Sequence, residues 1–279
     1  MKATIPNELY AFLAEFVFKE TGIQYVEKDY YRLDSRILSL ISFIEVNSPE
    51  ELFTVLKGGM SGDLKQKVID LCTNNETYFF RDSKPFEDFA NVIVKGLDAN
   101  ALNKYEVWSC ACSTGQEPLS MLMSVLENVP EFPIQKISLT ATDISSEALA
   151  KAKGGVYTNL DVQRGLPVQM LVKYFEQVEG NHWKVKSSLH DAIHFDFFNL
   201  LTQVQTKKFD LIFCRNVLIY QDRENKAKIL EMLTGALRPG GLLLFGAGES
   251  LVGIESELQK ETIGSSMYFR KPGLNAKAA

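Results

Sequence analysis

Apolar, strand-like runs in this chain stop at polar side chains whose types suit a small charged ligand. The first is Trp108-Ser109-Cys110-Ala111-Cys112-Ser113-Thr114-Gly115-Gln116-Glu117-Pro118, which reads as a strand, a loop and the start of a helix. In an open α/β sheet, ligands bind beyond the carboxyl ends of the strands. A hydride-transfer enzyme would carry G-x-G-x-x-G here, with the helix N-terminus facing a pyrophosphate. This loop has a single glycine, Gly115, and Glu117 stands at the helix start. A carboxylate there repels pyrophosphate and suits a cationic ligand; S-adenosylmethionine carries both an ammonium and a sulfonium. The competing reading is that Glu117 only favours the positive end of a helix, and charge logic alone leaves the two level.

Three later runs end in the same manner. Thr142-Asp143 closes the second, where an acid commonly holds ribose hydroxyls; Asp143 or Ser145 could instead cap the helix that follows. Asp196-Phe197-Phe198-Asn199-Leu200-Leu201 offers an amide beside apolar groups, suited to an adenine edge or equally to a simple turn. Phe209-Asp210-Leu211-Ile212-Phe213-Cys214 empties into Arg215-Asn216, with Tyr220 four residues later. Packing gives no reason for Arg-Asn at the end of a buried run, so a functional role is favoured. Upstream of all four lies Thr73-Asn74-Asn75-Glu76-Thr77-Tyr78-Phe79-Phe80-Arg81-Asp82. Its aromatics could plug a seam between domains, but that reading leaves Asn75, Thr77 and Arg81 unexplained.

The elements that must position these residues follow from periodicity. Residues 1–71 read as a helical domain: Leu9, Phe12, Leu13, Phe16 and Val17 recur at helix spacing, and a second helix is predicted over 28–44. Ser48-Pro49-Glu50-Glu51 is a helix start with a capping box, and a fourth helix is predicted over 64–71. Residues 72–84 form a linker that contributes to the active site. From 85 to 272 strand-like runs (106–109, 137–142, 193–195, 209–214, 242–246) alternate with helices near 118–129, 145–153 and 222–237, after a first helix from Phe86 to Leu97. That order implies a parallel sheet wrapped by helices. Runs at 258–263 and 267–270, joined by Gly264-Ser265, read as a closing hairpin. Residues 174–190 form a small antiparallel excursion turning at Gly180-Asn181, and 273–279 is a small polar tail.

Composition narrows the partners. The net charge is -5 and the pI about 5.4, which argues against a global grip on nucleic acid or anionic lipid. Charged residues interrupt the first twenty positions, so no signal peptide is expected. No stretch approaches the roughly 20 apolar residues of a membrane span, and a cytoplasmic location is expected. Cys72, Cys110, Cys112 and Cys214 form no C-x-x-C pair and read as buried small apolar residues. His182, His190 and His194 lack metal-ligand spacing, so no metal site is assigned.

Taken together the segments resemble the CheR-type chemotaxis protein-glutamate O-methyltransferase family. Its N-x-T-x-F-F-R pattern stands here as Asn75-Glu76-Thr77-Tyr78-Phe79-Phe80-Arg81, and its W-S-x-A-C-S-T-G-x-E-P loop as Trp108 to Pro118. Ala141-Thr142-Asp143-Ile144-Ser145, Asn199-Leu200-Leu201, Phe213-Cys214-Arg215-Asn216-Val217-Leu218-Ile219-Tyr220 and the G-x-x-E-S-L element at 246–251 complete a likeness that spans 10–271. The resemblance implies a class I methyltransferase fold: a Rossmann-like α/β domain with a seven-stranded sheet and an antiparallel terminal hairpin, preceded by a small all-helical domain. It implies that Asn75, Thr77, Arg81, Glu117, Asp143, Asn199, Leu200, Arg215 and Asn216 line the site for S-adenosyl-L-methionine and its product S-adenosyl-L-homocysteine. Asp143 would hold the ribose, Asn199-Leu200 the adenine, and Arg81 and Tyr220 would lie nearest the reacting methyl as catalytic residues. The activity implied is methyl esterification of glutamates on a methyl-accepting chemoreceptor or a similar acidic helical signalling protein, with neither nucleic acid nor membrane insertion involved.

The family's second helix carries a basic face for such receptors; Lys28, Arg32 and Arg36 form an i, i+4, i+8 stripe here, open equally to a docking or a solvated-face reading. Gln116 stands where an acid is common and Gln221 where an aromatic is common. In some members of the family the excursion binds a tethering peptide at the receptor tail; its short form here leaves tethering open. Two other functions remain: a methyltransferase of this architecture acting on another protein or a small molecule, and a non-catalytic nucleotide-binding scaffold.

Overall fold

In a computed structural model, residues 5–273 are described; the first four positions and the tail from residue 274 lie outside the described residues. The strands are β1 (Tyr105–Cys110), β2 (Ile137–Asp143), β3 (Val156–Thr158), β4 (Phe175–Val178), β5 (His182–Val185), β6 (Ile193–Phe197), β7 (Phe209–Cys214), β8 (Leu237–Phe245), β9 (Gln259–Ile263) and β10 (Ser266–Arg270). Seven of them form one sheet in the order β6-β2-β1-β7-β8-β10-β9. All neighbours from β6 to β8 are parallel, and β10 pairs antiparallel with both β8 and β9. This is the class I methyltransferase arrangement. The chain builds outward from β1 to β6, then returns to lay β7 on the other side of β1. Adjacent crossovers therefore leave on opposite faces between β1 and β7, which opens a crevice at their carboxyl ends.

The unbroken apolar runs follow from burial on both faces. Val107 on β1 and Leu211 and Phe213 on β7 face one core, shared with Leu119 and Leu122 of the helix Gln116–Asn128. Trp108, Cys110, Ile212 and Cys214 face the other, against Ile229, Leu230 and Leu233 of the helix Arg223–Ala236. Trp108 stacks on Phe209 at 5.1 Å, and its ring N–H, which burial would otherwise orphan, donates to Thr142 Oγ1 at 2.9 Å. All four cysteines are buried and free. No helix among the described residues is long and apolar enough to cross a membrane.

Helices Asn7–Thr21, Asp34–Ile44, Pro49–Lys57 and Gly62–Cys72 surround a separate core that includes Leu9, Leu13, Ile37, Leu40, Leu52 and Val68. Ser48 caps the third, accepting from Glu51 N, while the Glu51 carboxylate reaches past the cap to Asn47 N. The capping box is thus displaced by one residue from its expected form. The helix expected over 28–44 is a 3₁₀ turn at Glu27–Leu33 followed by the α-helix Asp34–Ile44. Tyr30 and Leu33 explain the tighter winding: they are spaced by three, Tyr30 stacks on Tyr10 and Leu33 is fully buried. At about 3.0 residues per turn, four residues rotate a side chain a third of a turn out of line. Lys28, Arg32 and Arg36 therefore do not form one helical stripe. Arg32 lies over the Tyr25 ring, 5.5 Å from its centroid.

Two further expectations change in detail. The helix expected from Phe86 to Leu97 is α-helical over Lys84–Asp88 and π-helical over Phe89–Val94, with its apolar face still buried. The excursion at 174–190 is the hairpin β4–β5, extended by the three-residue β3 into a separate sheet of order β3-β5-β4. Three residues carry too little alternation for β3 to be read in advance. Tyr157 on β3 is fully buried, packs against Phe79 and Phe175, and donates its hydroxyl to Thr114 O at 2.8 Å.

One buried acid ties the last helix of the helical region to the sheet domain. Asp70 accepts from Ser146 N at 2.7 Å and Ser146 Oγ at 2.6 Å, at the start of the helix Ser146–Gly154, and from Gln66 Nε2. Gln66 also donates to Ile144 O. Charge-assisted hydrogen bonds of this kind contribute about 1.5–3 kcal/mol. Asp70→Ala is expected to lower the unfolding free energy by about 2 kcal/mol in a denaturant titration. Lys67→Ala, which removes the pair to Glu147 and a contact with the Phe43 ring, is expected to change it by about 1 kcal/mol or less.

Candidate active site

The carboxyl ends of β1, β2, β6 and β7 open into one cleft of about 1030 Å³, counting the solvent at its mouth. Every residue expected at the cofactor and reacting end lines it: Asn75, Thr77 and Arg81 from the linker, Glu117 from the first turn of the helix after β1, Asp143 from the end of β2, Asn199 and Leu200 after β6, and Arg215, Asn216 and Tyr220 after β7. Thr21 and Ile23, at the end of the first helix, line it too. Nothing in the local sequence marks those two, because they reach the cleft only through domain packing.

Arg215 is the electrostatic centre. Its side chain is 2% exposed. Nη1 donates to Glu117 Oε2 at 3.0 Å, and Nη2 donates to both Asp82 Oδ2 and the Arg81 carbonyl at 2.8 Å. The guanidinium also sits over the Phe86 ring. Its Nε is buried with no hydrogen-bond partner. Glu117 is held from its other oxygen by Ser109 Oγ at 2.7 Å. The Glu117 carboxylate is thus aimed at a buried arginine and a serine on the strand.

Asp143 is buried, and its two oxygens accept from Ser113 N at 2.7 Å and Ser145 N at 2.8 Å. Burial pushes its carboxyl above the usual carboxylate range, against the pull of the backbone N–H groups of Ser145, Ser113 and Ile144. The helix cap is Ser145, whose Oγ accepts from Ala148 N. Asp143 therefore ties the loop after β1 to the end of β2 at the cleft wall. The linker is laced across the same loop: Ser113 Oγ donates to Asn75 O at 2.8 Å, and Asn75 Nδ2 reaches Ser145 Oγ at 3.3 Å.

The Asn199 side chain also makes bonds within the protein. Its Nδ2 donates to Glu20 O at 2.8 Å and its Oδ1 accepts from Leu201 N at 2.9 Å. The amide is used to form the turn and to hold the first helix against it, so the turn reading accounts for the side chain. Gln221 has a similar part: Nε2 donates to Thr21 O at 3.1 Å, and a Cβ on Gly22 would lie 1.9 Å from its Oε1. With φ at +72°, Gly22 suits that close approach twice over.

Arg81 is half-buried, with Nη1 donating to Glu76 O at 3.1 Å and its guanidinium facing the Tyr78 ring. Its neighbours Phe80 and Asp82 both have positive φ, at +52° and +54°. Tyr220 accepts from Asn74 Nδ2 at 2.7 Å, closing one side of the cleft. Beyond that contact lies a smaller cavity lined by Ile23, Tyr25, Arg32, Ile219 and Gln221. Of the three basic residues considered for docking, only Arg32 lines it; Lys28 and Arg36 line neither cavity. Among the described residues no group of three or more His, Cys, Asp or Glu could hold a metal ion.

The model of the CheR methyltransferase SAM binding domain matches residues 75–268. The chain is 36% identical over 270 residues to chemotaxis protein methyltransferase 1 of Vibrio cholerae, covering 96% of this chain and 98% of that protein. It is 35% identical to chemotaxis protein methyltransferase 1 of Pseudomonas aeruginosa, with 95% and 98% covered. It is 32% identical to the chemotaxis protein methyltransferase of Borreliella burgdorferi, with 91% and 92% covered. The cofactor of the matched domain is S-adenosylmethionine. A model matched across 75–268, with relatives similar over nearly their whole length, means that this chain belongs to the CheR methyltransferase family.

Proposed function

We propose that this S-adenosylmethionine-dependent methyltransferase esterifies glutamate side chains on the cytoplasmic region of a methyl-accepting chemoreceptor. The observation that carries the reading is the charge layout around Arg215. The amino-acid end of the cofactor is a zwitterion. Glu117 suits its ammonium, and the unpartnered Arg215 Nε is a buried donor suited to its carboxylate. Asp143 stands at the β2 end, where an acid holds ribose, and Leu200 and Ile23 supply apolar wall for a base. Asn199 and Leu200, with the backbone of their turn, are assigned to the adenine. Asn75, Thr77 and Asn216 complete the wall from the linker and the β7 end.

When bound, the cofactor supplies an electrophilic methyl on its sulfonium. The acceptor glutamate is ionised at neutral pH and needs no general base, which agrees with a cleft lined by no histidine among the described residues. The chain's task is then to orient and partly desolvate the carboxylate. Arg81 is assigned to orientation, through the planar fork of its guanidinium. Because Tyr220 accepts from Asn74, its own proton is available to face the cleft, and it is assigned to the reacting end. Arg32, at the neighbouring cavity, is assigned to steering an acidic helical partner.

Calorimetric titration with S-adenosylhomocysteine is expected to show Asp143→Ala binding at least about ten-fold more weakly than the wild type; equal affinity would remove Asp143 from the cofactor site. Arg81→Lys is expected to lower kcat by about ten-fold or more while cofactor affinity stays within about three-fold. A loss confined to affinity would make Arg81 a cofactor anchor, and wild-type kinetics would reject its assignment. The chemistry itself is checked by base-labile methyl label on receptor cytoplasmic fragments. Arg32→Glu is expected to raise KM for those fragments several-fold more than Lys28→Glu does, with the difference shrinking as salt rises. Equal effects of the two substitutions would return the basic residues to a solvated face.

A further inference from the structure

Glu249 lies in the turn after β8 and does not line the cleft, yet its carboxylate accepts four backbone N–H groups. Oε2 takes Gly246 N at 2.6 Å and Asn216 N at 2.8 Å; Oε1 takes Val217 N at 2.8 Å and Leu218 N at 2.6 Å. Three of these donors are consecutive, at the junction between β7 and the 3₁₀ turn Leu218–Tyr220. Asn216 has φ +60°, and a left-handed residue at such a junction turns successive N–H groups to one side, forming a concave anion-binding nest. The protein fills that nest with its own carboxylate. Gly246 makes the approach possible: a Cβ there would lie 2.9 Å from both Asn216 Nδ2 and Glu249 Oε2, and 3.1 Å from Asn216 N.

We infer that Glu249 is the positioning residue for the segment from Arg215 to Tyr220. That segment carries the guanidinium at the cofactor's amino-acid end, the left-handed Asn216, and the tyrosine assigned to the reacting end. Without the carboxylate, three adjacent donors lose their acceptor, and the left-handed turn at Asn216 loses the bonds that hold it there. The 3₁₀ turn then leaves β7 at a different angle, and Tyr220 shifts relative to Arg81 and Asn74. Glu249 touches neither ligand nor reacting atoms, so it acts through the backbone it holds. The inference rests on the proposed assignment of the cleft and of Tyr220.

The test uses the full chain with S-adenosylmethionine and a receptor cytoplasmic fragment. Glu249→Gln keeps the shape but leaves one carbonyl oxygen for two donors and turns an amide NH2 toward the other two. Its kcat is expected to fall by about ten-fold or more, while affinity for S-adenosylhomocysteine, held also from Glu117 and Asp143, changes by less than about three-fold. Gly246→Ala pries the same junction from the other side and is expected to lower kcat in the same way. Wild-type kcat per S-adenosylhomocysteine-binding molecule in Glu249→Gln would overturn the inference. Should that variant fail to fold, wild-type kcat in Gly246→Ala would overturn it equally. Failure of the wild type to bind S-adenosylhomocysteine would instead sink the assignment of the cleft.

Discussion

A buried guanidinium has to be neutralised and hydrogen-bonded, and in this protein that constraint decides how the cleft is assembled. Arg215 draws Glu117 from the helix after β1, and Asp82 together with the Arg81 carbonyl from the linker. Three stretches far apart in the chain are thereby fixed around one charge. Removing one partner of such a buried pair typically costs about 3–5 kcal/mol, because a charge is left uncompensated. The arrangement is nonetheless incomplete, since Nε has no acceptor. That donor is left facing the same cleft that Glu117 lines.

The backbone around the cleft is held in conformations that it would not otherwise choose. Ala111, Ser113 and Asn216 have positive φ at the strand ends, and Phe80 and Asp82 have it on either side of Arg81. Residues of this kind cost about 1–3 kcal/mol each. They persist because neighbouring groups fix them: Ser113 N on Asp143, Phe80 N on Ser120, Asn216 N on Glu249. Left-handed residues shorten the path between a strand and the following helix, so polar side chains and N–H groups converge on one volume rather than fan out along the sheet edge.

What was legible in the sequence, and what was not, divides along a physical line. Strands buried on both faces announce themselves as apolar runs, and β7 was found with its boundaries intact. Side chains that break such a run, such as Arg215 and Asp143, stand out against it. The 3₁₀ turn at Glu27–Leu33 was missed because spacings of three and four both occur there, and only packing on Tyr10 and Tyr25 selects between them. Thr21 and Ile23 were missed because no local pattern reports an interdomain contact. The bond from Asn199 to the carbonyl of Glu20 had no signal in the sequence, because a backbone acceptor leaves no mark on residue type. The same holds for Glu249, whose four partners are all main-chain groups.

The end of the first helix has a further bearing. Glu20 and Thr21 offer carbonyls to Asn199 and Gln221, Gly22 fits against Gln221, and Ile23 faces the cleft. The helical region therefore supplies part of the cleft wall, and it also bears Arg32. Chimaeras that exchange helical regions between relatives inherit this seam. Unless residues 20–23 and 199–221 travel together, a graft of the helical region also alters the cleft wall. Exchange of the helical region and the shape of the cleft wall are mechanically joined here.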